Sequence, residues 1–218
     1  GGGGVKVIHV IKKLNNTELN KGGTNDSYVM IPRKLNVADL FPEVNQVIPF
    51  IFKKNGDIIR IRHTQGGEKR IVGLGEFYRK NQVCAGDEVM FERQILHGES
   101  RYYIDLKQKT NTLVLQKLRD GFVILTPERM GLFAGNLMVN TYTGLQPMKL
   151  EFLASVGKRK DSPNTTDLYD LKVGGFSVAN DYASKRMVEI ELGQEPGRAT
   201  MNEVETWRKY SFSMEDED

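Results

Sequence analysis

Apolar and polar residues alternate along much of this chain, and the alternating runs are short. Val5–Leu14, Tyr28–Pro32, Val47–Lys54, Asp57–His63 and Glu68–Gly73 each read as a strand bounded by glycine, proline or asparagine. Asp87–Gln94 and Arg101–Lys107 follow, joined as a hairpin through His97-Gly98-Glu99. Asn55-Gly56 marks another hairpin, because that pair tolerates positive φ at both turn centres. Asn36–Phe41, stopped by Pro42, and Glu76–Asn81 are short helical segments. The pattern predicts a mainly β fold with short helices over residues 1–110, an open seven- to eight-stranded barrel.

Beyond Asn111 the strand spacing changes. Phe122–Thr126, Leu137–Thr143, Met148–Val156, Tyr169–Val173 and Met187–Leu192 predict a β-rich extension or subdomain over residues 111–192. The Lys-, Ser- and Pro-rich stretch Gly157–Thr166 reads as a loop. Residues 193–218 are assigned to a C-terminal tail, and its acidic end is expected to be disordered.

Composition narrows the function classes. Hydrophobic residues make up 39% and charged residues 27% of 218, the balance of a soluble globular chain. No apolar run is long enough for a membrane span, and Gly1–Val5 has neither the cationic head nor the apolar core of a signal peptide. One cysteine, Cys84, excludes an internal disulfide and a multi-cysteine zinc site, and it agrees with a reducing, cytoplasmic setting. Residues 1–110 hold 18 Lys and Arg against 12 Asp and Glu; the remainder holds 13 against 16. The basic surplus therefore lies in the first half, where a polyanion would be met.

That half carries two polar, glycine-loosened arms. The first runs from Lys21 through Asn25, Asp26, Ser27 and Tyr28 to Arg33 and Lys34. The second runs from Arg60 through Arg62, His63, Gln65, Gly66 and Gly67 to Glu68, Lys69 and Arg70. Both mix cations with hydrogen-bonding side chains, which suits gripping phosphates and reading base edges. Glutamate accepts from cytosine N4, and Lys or Arg donates to guanine O6 and N7, so Glu68-Lys69-Arg70 is suited to G·C pairs. In a regular strand only alternate members of the triplet face one groove, and Gly66-Gly67 offers a bend that would relieve this. Lys34, Arg79 and Lys80 suit phosphate positioning.

Lys12-Lys13-Leu-Asn-Asn, Gly22-Gly23-Thr, Tyr28-Val-Met-Ile31-Pro32 and Leu40-Phe41-Pro42, followed by Glu68-Lys69-Arg70-Ile71, resemble the N-terminal effector domain of EcoRII-type restriction endonucleases. The two Xaa-Pro motifs and Gly86-Asp87-Glu-Val-Met-Phe91 also resemble plant B-three transcription-factor domains. The resemblance implies a DNA-binding pseudobarrel that grasps the major groove of double-stranded DNA between an N-arm and a C-arm. It places Glu68, Lys69 and Arg70 on the C-arm against the recognition sequence, and the stretch Asn25–Tyr28 on the N-arm. It also implies a prokaryotic restriction-modification setting, with cleavage by a separate nuclease domain or subunit. Binding itself would need no cofactor, and Mg²⁺ would enter only with a nuclease domain. The basic residues that precede the triplet in that family are replaced here by Gln65-Gly66-Gly67.

Three other classes compete, one of them a β-rich protein-interaction module that binds no duplex. Asp87 with Asp105-Leu-Lys107 imitates the acidic-acidic-lysine constellation of Mg²⁺-dependent nucleases. A transcriptional regulator would share the arms without any nuclease. No phosphate-binding loop or dinucleotide fingerprint occurs, and no histidine precedes a lysine by two residues. The sequence thus assigns no catalytic and no metal-ligating residue.

Overall fold

Short alternating runs cannot bury a face alone, and here they pair into two sheets. The computed structural model describes residues 4–20, 27–156 and 166–215. The chain divides into two units, Gly1–Gln108 with Thr206–Asp218, and Lys109–Glu205. Both are mainly β. Among the described residues no helix is long and apolar enough to cross a membrane.

The first unit contains β1 (Val5–Lys13), β2 (Tyr28–Met30), β3 (Ile48–Phe52), β4 (Ile58–Gln65), β5 (Lys69–Val72), the helix α1 (Gly75–Lys80), β6 (Glu88–Leu96) and β7 (Glu99–Lys107). The second holds β8 (Thr112–Leu118), β9 (Gly121–Ile124), β10 (Leu137–Thr141), β11 (Gly144–Val156), β12 (Thr166–Val173), β13 (Phe176–Ser177), β14 (Met187–Leu192) and β15 (Arg198–Val204). The last strand, β16 (Trp207–Met214), returns to the first unit.

In the first unit the strand order is β16-β1-β6-β7-β3-β4-β5-β2, a curled half-barrel rather than a closed ring. All neighbours are antiparallel except β3 and β7, which run parallel through Ile51↔Tyr103 and Phe52↔Ile104. The core follows the strand period. Ile48, Phe50 and Phe52 of β3 point inward, while Pro49 and Ile51 are exposed. Phe50 meets Phe41 at 5.5 Å and Phe91 at 6.0 Å between ring centroids, and Phe52 meets Phe77 edge-on at 5.0 Å. Each such ring contributes about 1.5–3 kcal/mol by leaving water.

Turn chemistry explains the hairpins. His97 (φ 52°) and Gly98 (φ 78°) form the two-residue turn between β6 and β7, with both centres in the left-handed region. The Asn55-Gly56 hairpin is built differently from the expected two-residue turn. Its loop runs Lys53–Gly56, only Gly56 has positive φ, and Gly56 N donates to Phe52 O at 2.8 Å. Asn55 Oδ1 instead accepts from Asp57 N at 2.9 Å, so the asparagine side chain tightens the exit. Gly73 (φ 100°) is required where β5 leaves β4, because a Cβ there would lie 2.4 Å from Arg60 O.

The second unit closes. Its order, β11-β10-β15-β14-β8-β9-β12, returns through the β11–β12 pairing to complete a seven-stranded barrel, with β13 appended to β12. Leu113, Leu115, Phe122, Val188 and Ile190 fill its interior. Residues 193–215 do not behave as the tail the sequence predicts, and the rest of the acidic end lies outside the described residues. Arg198–Val204 completes this barrel, and Trp207–Met214 pairs with β1 over eight register positions. The loop expected at Gly157–Thr166 lies outside the described residues, except that Thr166 opens β12.

Candidate nucleic-acid interface

The two arm roots are neighbouring strands. β5 lies between β4 and β2, with Arg62↔Val72, His63↔Ile71, Thr64↔Arg70 and Gln65↔Lys69 on one side. On the other side Tyr28↔Val72, Val29↔Ile71 and Met30↔Arg70 are paired. Ile31 N extends this ladder to Lys69 O at 2.9 Å.

Because side chains alternate, register sorts the predicted residues onto two faces. Tyr28, Arg62, Thr64 and Arg70 share one face. Val29, His63, Gln65, Lys69 and Ile71 share the other, which leads into the core. The triplet is therefore split, with Lys69 on the face opposite Arg70. Gly66 and Gly67 lie in the bend between β4 and β5, yet Lys69 and Arg70 remain on opposite faces.

Glu68 and Arg70 act as one unit. Arg70 Nε and Nη2 donate to Glu68 Oε2 at 3.2 and 2.9 Å. The guanidinium carbon sits 4.0 Å from the Tyr28 ring centroid. An aromatic face beneath and a carboxylate beside it fix the plane of the guanidinium. Both side chains keep access to solvent, at 34% for Arg70 and 53% for Glu68. The result is an acceptor and a fork of donors held side by side. Between the arms lies a cavity of about 430 Å³, walled by Met30–Arg33 on one side and Gly66–Lys69 on the other.

Tyr28 is itself fixed from below. Its carbonyl accepts from Tyr78 Oη at 3.0 Å, and burial, with the nearby Glu18 charge, pushes the Tyr78 phenol well above its ordinary range. The first arm is rooted in a buried carboxylate that sequence reasoning missed. Glu18 Oε1 accepts from Lys12 Nζ at 3.0 Å and Asn15 N at 3.1 Å, and Oε2 accepts from Met30 N at 2.8 Å. Glu18 N donates in return to Asn15 Oδ1 at 2.9 Å. Asn15-Asn-Thr-Glu18 is thus a reciprocal capping arrangement, and its Asn-x-x-Glu spacing was a readable signal.

His63 departs from its expected place on the groove surface. It is 4% exposed, packs 5.9 Å from the Phe41 ring, and neither ring nitrogen has a hydrogen-bond partner among the described residues. Burial first, and then the charge of Lys69, hold its imidazole below the ordinary range. It is a buried group beneath the second arm, out of reach of a ligand on the surface. The remaining cations are peripheral. Arg33 and Lys34 are exposed in the turn after β2, and Arg62 reaches Asn45 Oδ1 at 3.4 Å. Arg79 lies over Gly75 close to Ser27, and Lys80 stands 4.0 Å from Asp57. Lys21, Asn25 and Asp26 lie outside the described residues.

The acidic residues of the nuclease-like pattern are set apart. Asp105 faces Met90, three residues on from Asp87, and Asp87 is fully buried with its carboxylate accepting from Cys84 N at 2.8 Å. Among the described residues no group of three or more His, Cys, Asp or Glu could hold a metal ion.

No model of a known protein family matches the chain, and no curated protein matches it either.

Proposed function

We propose that this chain is a sequence-specific binding module for double-stranded DNA, reading a short G·C-containing site in the major groove through the two arms. The Glu68–Arg70 pair, stacked on Tyr28, is the observation that carries this reading. A carboxylate beside a guanidinium matches the C·G edge, where cytosine N4 donates and guanine O6 and N7 accept. Arg62 on the same face and the exposed Arg33, Lys34, Arg79 and Lys80 supply charge for flanking phosphates. The resemblance to the effector domains of EcoRII-type enzymes extends the proposal: the module belongs to a restriction endonuclease whose cleavage is carried out by a separate nuclease domain or subunit. Binding by these residues requires no metal or cofactor.

Selection from a random duplex library, in the presence of competitor DNA, tests the proposal. A shared short motif containing C·G pairs is expected. Recovery of no duplex above competitor would overturn it.

A further inference from the structure

The edge of the first unit's sheet opposite β2 is β16. It is bonded to β1 from Lys12↔Trp207 to Val5↔Met214 without a register break, and no strand covers its other side among the described residues. In an antiparallel ladder alternate residues direct both backbone groups to the same side. About half of β16 therefore presents unpaired N–H and C=O groups outward. Exposed edges are ordinarily blunted by shortness, proline, inward charge or a bulge. Tyr210-Ser-Phe212-Ser-Met214 has none of these devices, and the strand's two charges, Arg208 and Lys209, lie in its first half. Its apolar members share one face, with 47% of Tyr210, 40% of Phe212 and 51% of Met214 exposed. The sheet's other edge, β2, is only three residues long.

We propose that β16 is a self-association edge, and that its occupant is β16 of a second copy of this chain, paired antiparallel about a twofold axis centred on Phe212. A strand meeting its own copy about a twofold forms an isologous contact, so one sequence must complement itself. This register does so. Phe212 lies opposite Phe212, Tyr210 opposite Met214, and Lys209 opposite Glu215. The apolar positions fall on one continuous face and no like charges oppose each other. Moving the axis to Ser211 sets Arg208 opposite Met214 and leaves Lys209 opposite Ser213, losing both matches. Lys209 already donates to Asp39 Oδ1 at 2.9 Å and Asn36 O at 2.7 Å within its own chain, leaving one of its three N–H groups for Glu215 of the second copy. The inference stands independently of what the arms bind.

Sedimentation of the full chain across a concentration series tests it. Wild type is expected to pass from monomer to dimer. Phe212→Lys sets two ammonium groups face to face at the centre and should weaken the dimer by at least about tenfold. Phe212 is 40% exposed and meets the His9 ring edge-on at 5.4 Å, so the dilute monomer is expected to lose some thermal stability while remaining folded. Register is read separately by oxidative cross-linking in a Cys84→Ser background. Phe212→Cys should form an interchain disulfide, whereas Tyr210→Cys should cross-link only when mixed with Met214→Cys. A chain that stays monomeric, a dimer indifferent to Phe212→Lys, or equal cross-linking of Phe212→Cys and Tyr210→Cys alone would each overturn the proposal.

Discussion

Glu18→Ala is the most informative single change, because it removes the root of the first arm without touching the proposed contact face. The Glu18 side chain is 1% exposed and that of Lys12 is 4% exposed, so the pair is fully buried. Among the described residues, truncation leaves the Lys12 ammonium with only the Lys13 carbonyl, at 3.1 Å, and strips Asn15 N and Met30 N of their side-chain acceptor. Breaking a buried pair by removing one partner costs about 3–5 kcal/mol. Each stranded backbone N–H costs about 1–3 kcal/mol more if the site cannot relax. A loss of at least about 3 kcal/mol is expected, a large share of the 5–15 kcal/mol typical of a domain. Two units need not unfold together, so the reporter must be local. The lone tryptophan supplies it: Trp207 lies directly opposite Lys12 in the β1–β16 ladder. Urea titration followed by its fluorescence isolates the first unit. Adding Lys12→Met to Glu18→Ala should recover part of the loss, because it removes the uncompensated buried cation. A Glu18→Ala loss below about 1 kcal/mol, or a double variant no better than the single, would refute the anchoring role.

Three further outcomes follow from the same geometry. Tyr28→Leu keeps an apolar body under Arg70 but deletes the aromatic face, and should weaken duplex binding by the about 0.5–2 kcal/mol of a cation–π contact, measured by anisotropy. The His63 imidazole is held below its ordinary range, so the unfolded chain binds the proton more readily than the folded one. Its contribution to stability is complete above pH 6.5 and declines as pH falls through that value toward the folded-state pKa. Denaturation of wild type against His63→Phe at several pH values should therefore show wild type losing stability relative to the variant on acidification, and a pH-independent difference would contradict the assignment. Removing Lys34, Arg79 or Lys80 should lower affinity evenly across sequences and reduce the salt slope by about one for each phosphate no longer neutralised, as read from binding titrations at several salt concentrations.

How much could be read in advance depended on burial and register. β3 alternates cleanly because one face is buried and the other exposed, so its residues announced a strand. Thr112–Leu118 was missed because Thr112–Leu115 is buried throughout, a run without alternation that local pattern cannot assign. β16 was hidden by its charged lead-in, Glu203-Val-Glu-Thr-Trp-Arg-Lys, although Tyr-Ser-Phe-Ser-Met alternates plainly. At the site, the charge of Glu68 and Arg70 was legible, but their partnership was not, since it depends on Tyr28 of another strand. The burial of His63 was equally out of reach: only the pairing His63↔Ile71 places it on the core face, and a one-residue slip would expose it.

Glu68 and Arg70, held together over Tyr28, are proposed to touch base edges. The direct measurement is equilibrium binding of wild type and Glu68→Ala to a selected duplex and all its single-base variants. Discrimination should vanish at one C·G pair, a loss of about 1–3 kcal/mol there, with the other positions unchanged. Uniform weakening across every variant would contradict the account.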